Sequence, residues 1–151
     1  MEHMNWSEYF FALIKIIREK SKDKSTKVGS IIVGPDNEIR STGYNSFPRG
    51  INDDVLERHE RPNKYLWFEH AERNAIYNAA RVGTPLKGCT MYLFHLPCPD
   101  CARAIIQSGI TKIIVSKENK LKWNSPKYHV SEMYEVSTVM LQEAGVEITE
   151  I

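Results

Sequence analysis

Two short pieces of sequence, His70-Ala71-Glu72 and Pro97-Cys98-Pro99-Asp100-Cys101, decide how the chain is organised. They supply one histidine and two cysteines, a donor set that suits zinc. Cys98 and Cys101 stand three residues apart, so both sulfurs lie on one face of a first helical turn if a helix begins at Cys98. The positive end of such a helix lowers the pKa of thiols and favours the thiolates that zinc requires.

Both pieces are followed by helical patterning. Pro99 is favoured in a first helical turn. Behind His70, apolar side chains recur at helical spacing until Gly83 and Pro85, which are typical of a helix end. These side chains are Ala71, Ala75, Ile76, Ala79 and Ala80. We therefore expect two helix N-termini that point into one pocket.

Glu72 has a role that needs no contact with the metal. A catalytic zinc keeps three protein ligands and one open position for water. Zinc lowers the pKa of bound water to about 7, and a nearby carboxylate can take up and return the proton. His70, Cys98 and Cys101 are therefore the candidate ligands, and Glu72 is the candidate proton carrier.

Two other interpretations stay open. A structural zinc site would have four protein ligands, and it would leave Glu72 without a role. The candidates for a fourth ligand are His3, His59, His95 and His129. A disulfide between Cys98 and Cys101 is less favoured, because an intracellular C-x-x-C more often binds metal or does redox work. Cys89 begins an apolar run, so we expect a buried core thiol there.

Length and composition predict one domain, residues 1–151, with an apolar core. The 151 residues carry a formal net charge of +1, which gives no global electrostatic case for nucleic-acid binding. Three cysteines, two of them assigned to zinc, favour a reducing compartment, so we expect a cytoplasmic protein. We expect no secretory signal and no membrane partner, because the apolar run at 10–17 is too short to span a bilayer.

Hydrophobic periodicity predicts a three-layer α/β/α domain with a mixed five-stranded sheet. The expected helices are 6–20 (capped by Ser7), 70–82, 98–109 and 130–144. The expected strands are 28–33, 38–44, 89–96, 110–116 and 146–148. The first two strands form an antiparallel hairpin, and the last strands are parallel. In the last helix, Met133, Val136, Met140 and Leu141 are expected to face the core. The connection at 51–68 has room for a short helix near 54–60.

From residue 24 to 148 the chain resembles the cytidine and deoxycytidylate deaminase superfamily. The pattern H-x-E…P-C-x-x-C is the signature of zinc-dependent nucleobase deaminases. The most specific segments are 70–76, 97–102 and 105–110. Ser25-Thr26-Lys27-Val28-Gly29 and Gly43-Tyr44-Asn45 point to the deoxycytidylate branch. The resemblance implies a cytidine-deaminase-like fold and a zinc hydrolase that converts dCMP to dUMP and ammonia.

The resemblance also implies roles for individual residues. It makes His70, Cys98 and Cys101 the zinc ligands and Glu72 the proton carrier. Asn45 would contact the substrate sugar. Further substrate contacts would come from Lys27 and Tyr128-His129 on the phosphate side, and from Ala71 and Pro97.

Assembly and regulation are further implications. Such proteins are commonly hexamers, so we expect a homo-oligomer, either hexamer or dimer. They are often regulated by dCTP and dTTP, but Ser46-Phe47-Pro48 stands where a glycine-containing Gly-x-Pro is usual, which argues against such regulation here. The 51–68 connection contains no cysteine, so the extra structural zinc of some members is not expected.

Alternative functions remain. The same chemistry on another base would act on tRNA adenosine, guanine, or free cytidine or cytosine. The near-zero net charge speaks weakly against tRNA. A zinc-stabilised non-enzymatic subunit is the alternative from a different class, and it predicts unfolding on chelation.

Overall fold

The computed structural model describes residues 2–119 and 130–151, which form five helices and five strands. The helices are α1 (Trp6–Ile17), α2 (Lys64–Trp67), α3 (Ala71–Val82), α4 (Pro99–Gln107) and α5 (Val130–Glu143). The strands are β1 (Gly29–Val33), β2 (Ile39–Tyr44), β3 (Thr90–Leu93), β4 (Lys112–Val115) and β5 (Glu147–Glu150). Short 3₁₀ turns occupy Arg18–Lys20, Leu56–Arg58 and Lys117–Asn119.

The five strands form one sheet in the order β2-β1-β3-β4-β5. β1 pairs antiparallel with β2 and with β3, and β3, β4 and β5 are mutually parallel. The antiparallel β1–β3 pair follows from the connection: a crossover through α3 makes β3 parallel to β2, and β1 lies between them. The predicted mixed five-stranded sheet is confirmed.

Helices cover both faces of this sheet. Phe10 and Ile14 of α1 pack with Ile31 and Val33 on one face. The other face carries the apolar side chains of α3, α4 and α5, together with Ile32. Successive side chains of β1 therefore enter two different cores, which is why all five of its residues are buried. The predicted three-layer α/β/α fold is confirmed.

Two local predictions were wrong. The cap of α1 is Asn5 rather than Ser7: Asn5 Oδ1 accepts from Glu8 N, and the Glu8 carboxylate accepts from Asn5 N, each at 2.9 Å. This reciprocal pair satisfies two backbone donors, so Asn5 caps a helix whose first residue, Trp6, is the predicted one. In α5, Met133 and Val136 are about half exposed rather than facing the core.

Other expectations were close. Leu141 is buried and Met140 partly buried, as predicted for α5. Cys89 lies in the apolar core, as predicted. The region near 54–60 forms the 3₁₀ turn Leu56–Arg58, and the sequence pattern missed α2. None of the described helices is both long and apolar enough to cross a membrane.

Candidate active site

The N-terminus of α3 is held against β1 and β2 by polar contacts and by a close approach. Ser30 Oγ donates to Ala71 O at 2.9 Å, and Ser41 Oγ donates to Ala75 O at 2.6 Å. At Gly43, a Cβ atom would lie only 2.3 Å from Ala71 O. The absence of that side chain lets the helix backbone rest directly on the strand.

His70 is the residue that immediately precedes α3. Ser46 and Glu69 exchange two backbone hydrogen bonds, with Ser46 N to Glu69 O at 3.1 Å and Glu69 N to Ser46 O at 2.8 Å. This bridge fixes the chain just before His70. Cys98 is the N-cap of α4, and Cys101 lies in its first turn. Both predicted helix N-termini are therefore present.

His70, Cys98 and Cys101 meet in one cluster. Their ligand atoms all lie within 4.8 Å of one another. His70 Nδ1 is 3.6 Å from Cys98 Sγ and 3.5 Å from Cys101 Sγ. Tetrahedral zinc, with bonds of about 2.1 Å to nitrogen and 2.3 Å to sulfur, requires an N···S separation of about 3.6 Å. The donor types and the spacing therefore fit zinc.

A closed four-ligand site receives no support from the described residues. Within 2–119 and 130–151, this trio is the one group of three or more histidine, cysteine or acidic side chains placed to hold a metal ion. His95 does not join it, although it is close in sequence. His129 lies outside the described residues.

The Cys98 and Cys101 thiols shift each other's pKa in opposite directions. The hydrogen bond from Cys101 lowers the pKa of Cys98 to about 4, and the bond to His70 acts in the same direction. The same thiol–thiol bond, together with burial, raises the pKa of Cys101. The hydrogen bond with Cys98 raises the pKa of His70. The cluster thus forms a first thiolate at Cys98 readily, as metal binding requires.

Glu72 lies in the first turn of α3 and is 1% exposed. Among the described residues, its Oε1 is buried and has no hydrogen-bond partner. Its negative charge acts on the pKa values of His70, Cys101 and Tyr134, which places the carboxylate beside the metal cluster. A buried carboxylate oxygen without a partner is costly, and a catalytic role is one of the reasons for which proteins retain such an atom.

Arg73 connects the two helices that carry the ligands. Its guanidinium contacts the Glu69 carboxylate at 2.5 Å and lies 3.5 Å from Asp100 Oδ2. Asp100 follows Cys98 by two residues on α4, and it also pairs with Arg103. The positive charge of Arg73 interacts favourably with the thiolate forms of Cys101 and Cys98. Arg73 therefore offsets negative charge at the cluster.

Tyr134 is a neighbour of the site that the sequence pattern missed. Burial raises its pKa to about 12, and the charges of Cys98, Glu72 and Cys101 add to this rise. One turn later on α5, Ser137 Oγ donates to Pro97 O at 2.6 Å, which fixes the helix against the turn before Cys98. The spacing of Tyr134, Ser137 and Leu141 was the available signal for this buried face.

The remaining predicted substrate contacts are dispersed. Asn45 is buried; both hydrogens of its Nδ2 are donated within the 21–28 loop, and its Oδ1 accepts from Val28 N. Lys27 reaches the surface, where its ammonium pairs with Glu19 at 3.0 Å. Ala71 and Pro97 adjoin the ligands His70 and Cys98 in sequence, and their carbonyl groups accept from Ser30 and Ser137. Tyr128 and His129 lie outside the described residues. The substrate roles of all six residues stay predictions.

A separate cavity of about 430 Å³ opens between α3 and the segment that follows β2. Four basic side chains line it: Lys20, Lys22, Arg49 and Arg81. Lys22 is already paired with Asp53 at 2.7 Å. None of the three candidate ligands, nor Glu72, lines this cavity.

Comparisons with known proteins agree with this geometry. The family model for the cytidine and deoxycytidylate deaminase zinc-binding region matches residues 4–117. The deoxycytidylate deaminase of Homo sapiens is 37% identical over 150 residues, covering 96% of this chain and 79% of the relative. That of Enterobacteria phage T4 is 31% identical over 175 residues, covering 88% and 83%. The dCMP deaminase of cyanophage S-TIM5, solved in complex with dCMP and dUMP, superposes with a TM-score of 0.73 at 27% identity, covering 99% of this chain and 100% of that one.

Proposed function

Because the chain belongs to the cytidine and deoxycytidylate deaminase family, we propose that it hydrolyses dCMP to dUMP and ammonia. The observation that carries the proposal is the trio of His70, Cys98 and Cys101 beside Glu72, whose buried Oε1 has no hydrogen-bond partner in the described part of the chain. The family is a zinc-binding one, and these three side chains are positioned to hold that metal.

Zinc, when bound, supplies Lewis-acid chemistry and lowers the pKa of a coordinated water to about 7. Glu72 takes up a proton from the attacking water and returns it to the ring nitrogen of the cytosine base. The hydroxyl group now on the ring carbon gives up its proton, which reaches the amino group as the C–N bond breaks, so that ammonia leaves and a carbonyl remains. The burial of Glu72 keeps competing bulk water from this proton transfer.

The proposed substrate contacts use hydrogen-bonding groups that the protein leaves unused or only weakly paired. Both Nδ2 hydrogens of Asn45 are donated within the protein, so Asn45 contributes its Oδ1 as an acceptor for a sugar hydroxyl. Lys27, Tyr128 and His129 are proposed to bind the phosphate. The exposed Lys27–Glu19 pair exchanges at little cost for a phosphate contact, because surface ion pairs are weak. Ala71 and Pro97 are proposed to contact the base beside the metal.

The test is ammonia release by zinc-loaded protein against deoxycytidine, dCMP, CMP, dCTP, guanine and a short tRNA stem-loop. Turnover of dCMP in preference to the others supports the proposal. Turnover of another compound alone would replace dCMP as the substrate and remove the assignments of Asn45 and Lys27. No turnover of any compound by protein that holds zinc would contradict the proposal and favour a non-enzymatic role.

We further infer that the protein is a cytoplasmic homo-oligomer, a hexamer or dimer. α5 exposes about half of Met133, Val136 and Val139, an apolar stripe that assembly would cover. Thiolate ligands favour a reducing compartment. A solution mass equal to the 17.4 kDa of one chain, measured by light scattering, would contradict assembly.

Because Ser46-Phe47-Pro48 departs from the usual pattern, regulation by dCTP or dTTP is not included in the proposal.

A further inference from the structure

A buried ion pair lies outside the metal cluster, where the 21–28 loop meets the connection between β2 and α3. The Lys64 ammonium is 2.6 Å from Asp23 Oδ2 and 2.8 Å from Ser25 Oγ. Lys64 is 7% exposed and Asp23 is 5% exposed. Burying two charges costs desolvation of both, so such a pair is weak evidence of a purely stabilising role. The proposed chemistry does not use either group.

Asp23 is the centre of a hydrogen-bond network. Its Oδ1 accepts from Ser25 N at 2.8 Å, from Ser25 Oγ at 2.9 Å and from Thr26 N at 3.1 Å. Its Oδ2 accepts from Lys64 and from Asn45 Nδ2, the latter at 3.2 Å. An ionised carboxylate is only an acceptor, and the adjacent ammonium keeps it ionised. Asn45 must therefore present its amide nitrogen to Asp23.

This network fixes which way the Asn45 amide faces. The same Nδ2 also donates to Thr26 O at 2.9 Å, so both of its hydrogens are used. Among residues 2–119 and 130–151, Oδ1 accepts from Val28 N at 2.8 Å and from no other donor, so one further lone pair is left. The network thus leaves Asn45 as an acceptor and removes its capacity to donate to a ligand. A sugar hydroxyl, which can donate, matches that remaining capacity.

We propose that Asp23 and Lys64 are positioning residues for substrate binding, which act by fixing the Asn45 amide with Oδ1 as its one group available to a sugar hydroxyl. The inference rests on the proposed function, because Asn45 is the proposed sugar contact there. Lys64 holds Asp23 as an anion, and Asp23 holds Nδ2. A neutral or displaced Asp23 would leave the amide held only by Val28 N and Thr26 O, which weakens the restraint on the position of Oδ1.

A double-mutant cycle between Lys64→Met and Asn45→Ala tests this directly. In the wild-type background, Lys64→Met is expected to raise KM for dCMP about tenfold, the effect of losing one hydrogen bond, with kcat and zinc content unchanged. In the Asn45→Ala background, Lys64→Met is expected to cause no further rise, because the residue through which it acts is gone. Lys64→Arg, which keeps the charge and the donors, should restore KM towards the wild-type value.

The matched control is Lys112→Met, which removes a partly exposed ammonium that pairs with Glu147 on the edge strand β5. It is expected to leave KM unchanged. If Lys64→Met does not fold, Lys64→Gln takes its place, since it removes the charge while keeping a donor. An unchanged KM, an equal rise in both backgrounds, or a loss of zinc would overturn the inference.

A second readout separates this inference from the proposed function. Val28 N donates to Asn45 Oδ1, so hydrogen exchange of the Val28 amide reports the orientation of Asn45 without any turnover. Faster exchange in Lys64→Met supports the positioning role, and unchanged exchange overturns it. Absence of dCMP turnover by the wild-type protein instead overturns the proposed function, together with the substrate part of this inference.

Discussion

At the scale of single residues, Glu72 is the side chain on which the proposed chemistry depends most. Glu72→Gln keeps the shape of the side chain but removes its capacity to take up a proton. We expect kcat for ammonia release to fall about 10³-fold, within the range typical of general acid–base groups, while zinc content stays unchanged. Glu147→Gln, at an exposed position on β5, is the control. Retained activity in Glu72→Gln would exclude this residue as the proton carrier.

Asp23 provides a pH-dependent prediction at the same scale. Burial opposes its ionisation, but hydrogen bonds from Lys64, Ser25 and Thr26 prevail and hold its pKa below 3.8. The folded state therefore gains stability from Asp23 above pH 3.8, and it loses that gain as pH falls towards the lowered pKa. Urea titrations should show wild type more stable than Asp23→Asn at pH 7, with the difference shrinking at pH 3. A difference that grows at low pH would contradict this.

The site residues that could be predicted from the sequence are those that lie two or three positions from another site residue. The two-residue step from His70 to Glu72 and the three-residue step from Cys98 to Cys101 are visible as spacing. The Asp23–Lys64 contact joins residues 41 positions apart, and no local pattern indicates it. Tyr134 was missed because the apolar residues beside it on α5 suggested a different buried face.

At the scale of elements, the contact between β2 and α3 decides where His70 and Glu72 lie. Gly43→Ala would place a methyl group 2.3 Å from Ala71 O and 2.4 Å from Ala75 N, and backbone atoms cannot move aside cheaply. We expect destabilisation of about 1–3 kcal/mol or more, together with a loss of activity as the helix is displaced. Chemical denaturation and ammonia release measure the two effects.

The control for this substitution is Gly83→Ala, at the left-handed C-cap of α3. Its φ is +79°, and no atom lies within 4 Å of an added Cβ. The backbone strain should cost about 1–2 kcal/mol without any change in kcat. Equal kinetic losses in both variants would show that stability alone, rather than the placement of α3, controls activity.

The caps and the buried faces of the helices were harder to predict from local sequence patterns than the types of the elements. Strand and helix types were predictable from periodicity, but the identity of the α1 cap depended on a competition between two capping residues. Asn5 prevailed over Ser7 because Glu8 completes its reciprocal hydrogen bonds. Which face of α5 is buried depended on a distant contact, because Ser137 donates to the carbonyl of Pro97, which lies 40 residues away.

At the scale of the whole molecule, neither apolar core depends on the metal. None of His70, Cys98 and Cys101 belongs to the two described apolar clusters. We therefore expect chelation to leave the protein folded at 25 °C but to lower Tm. The lost stabilisation is about 4 kcal/mol at free zinc a thousandfold above Kd. Far-ultraviolet circular dichroism with and without chelator measures this. Complete unfolding would instead match a zinc-stabilised subunit.

The layer architecture was predictable because strands that alternate with helices leave few topologies. The antiparallel β1–β3 pair could not be predicted from the sequence. It depends on whether the third strand joins the hairpin beside β1 or beside β2. Sequence patterns give no information on that choice, whereas the structure shows β1 between β2 and β3.

The short connection between α3 and β3, residues 83–89, separates the donors of the metal cluster into two groups. His70 comes before it, and Cys98 and Cys101 come after it. A chain cut there would yield two fragments, each with an incomplete set of donors, with two strands of the sheet in one fragment and three in the other. Zinc would then act as the link in fragment complementation, and the yield of reassembled protein would rise with added metal. Gel filtration of the mixed fragments, with and without zinc, would register that dependence.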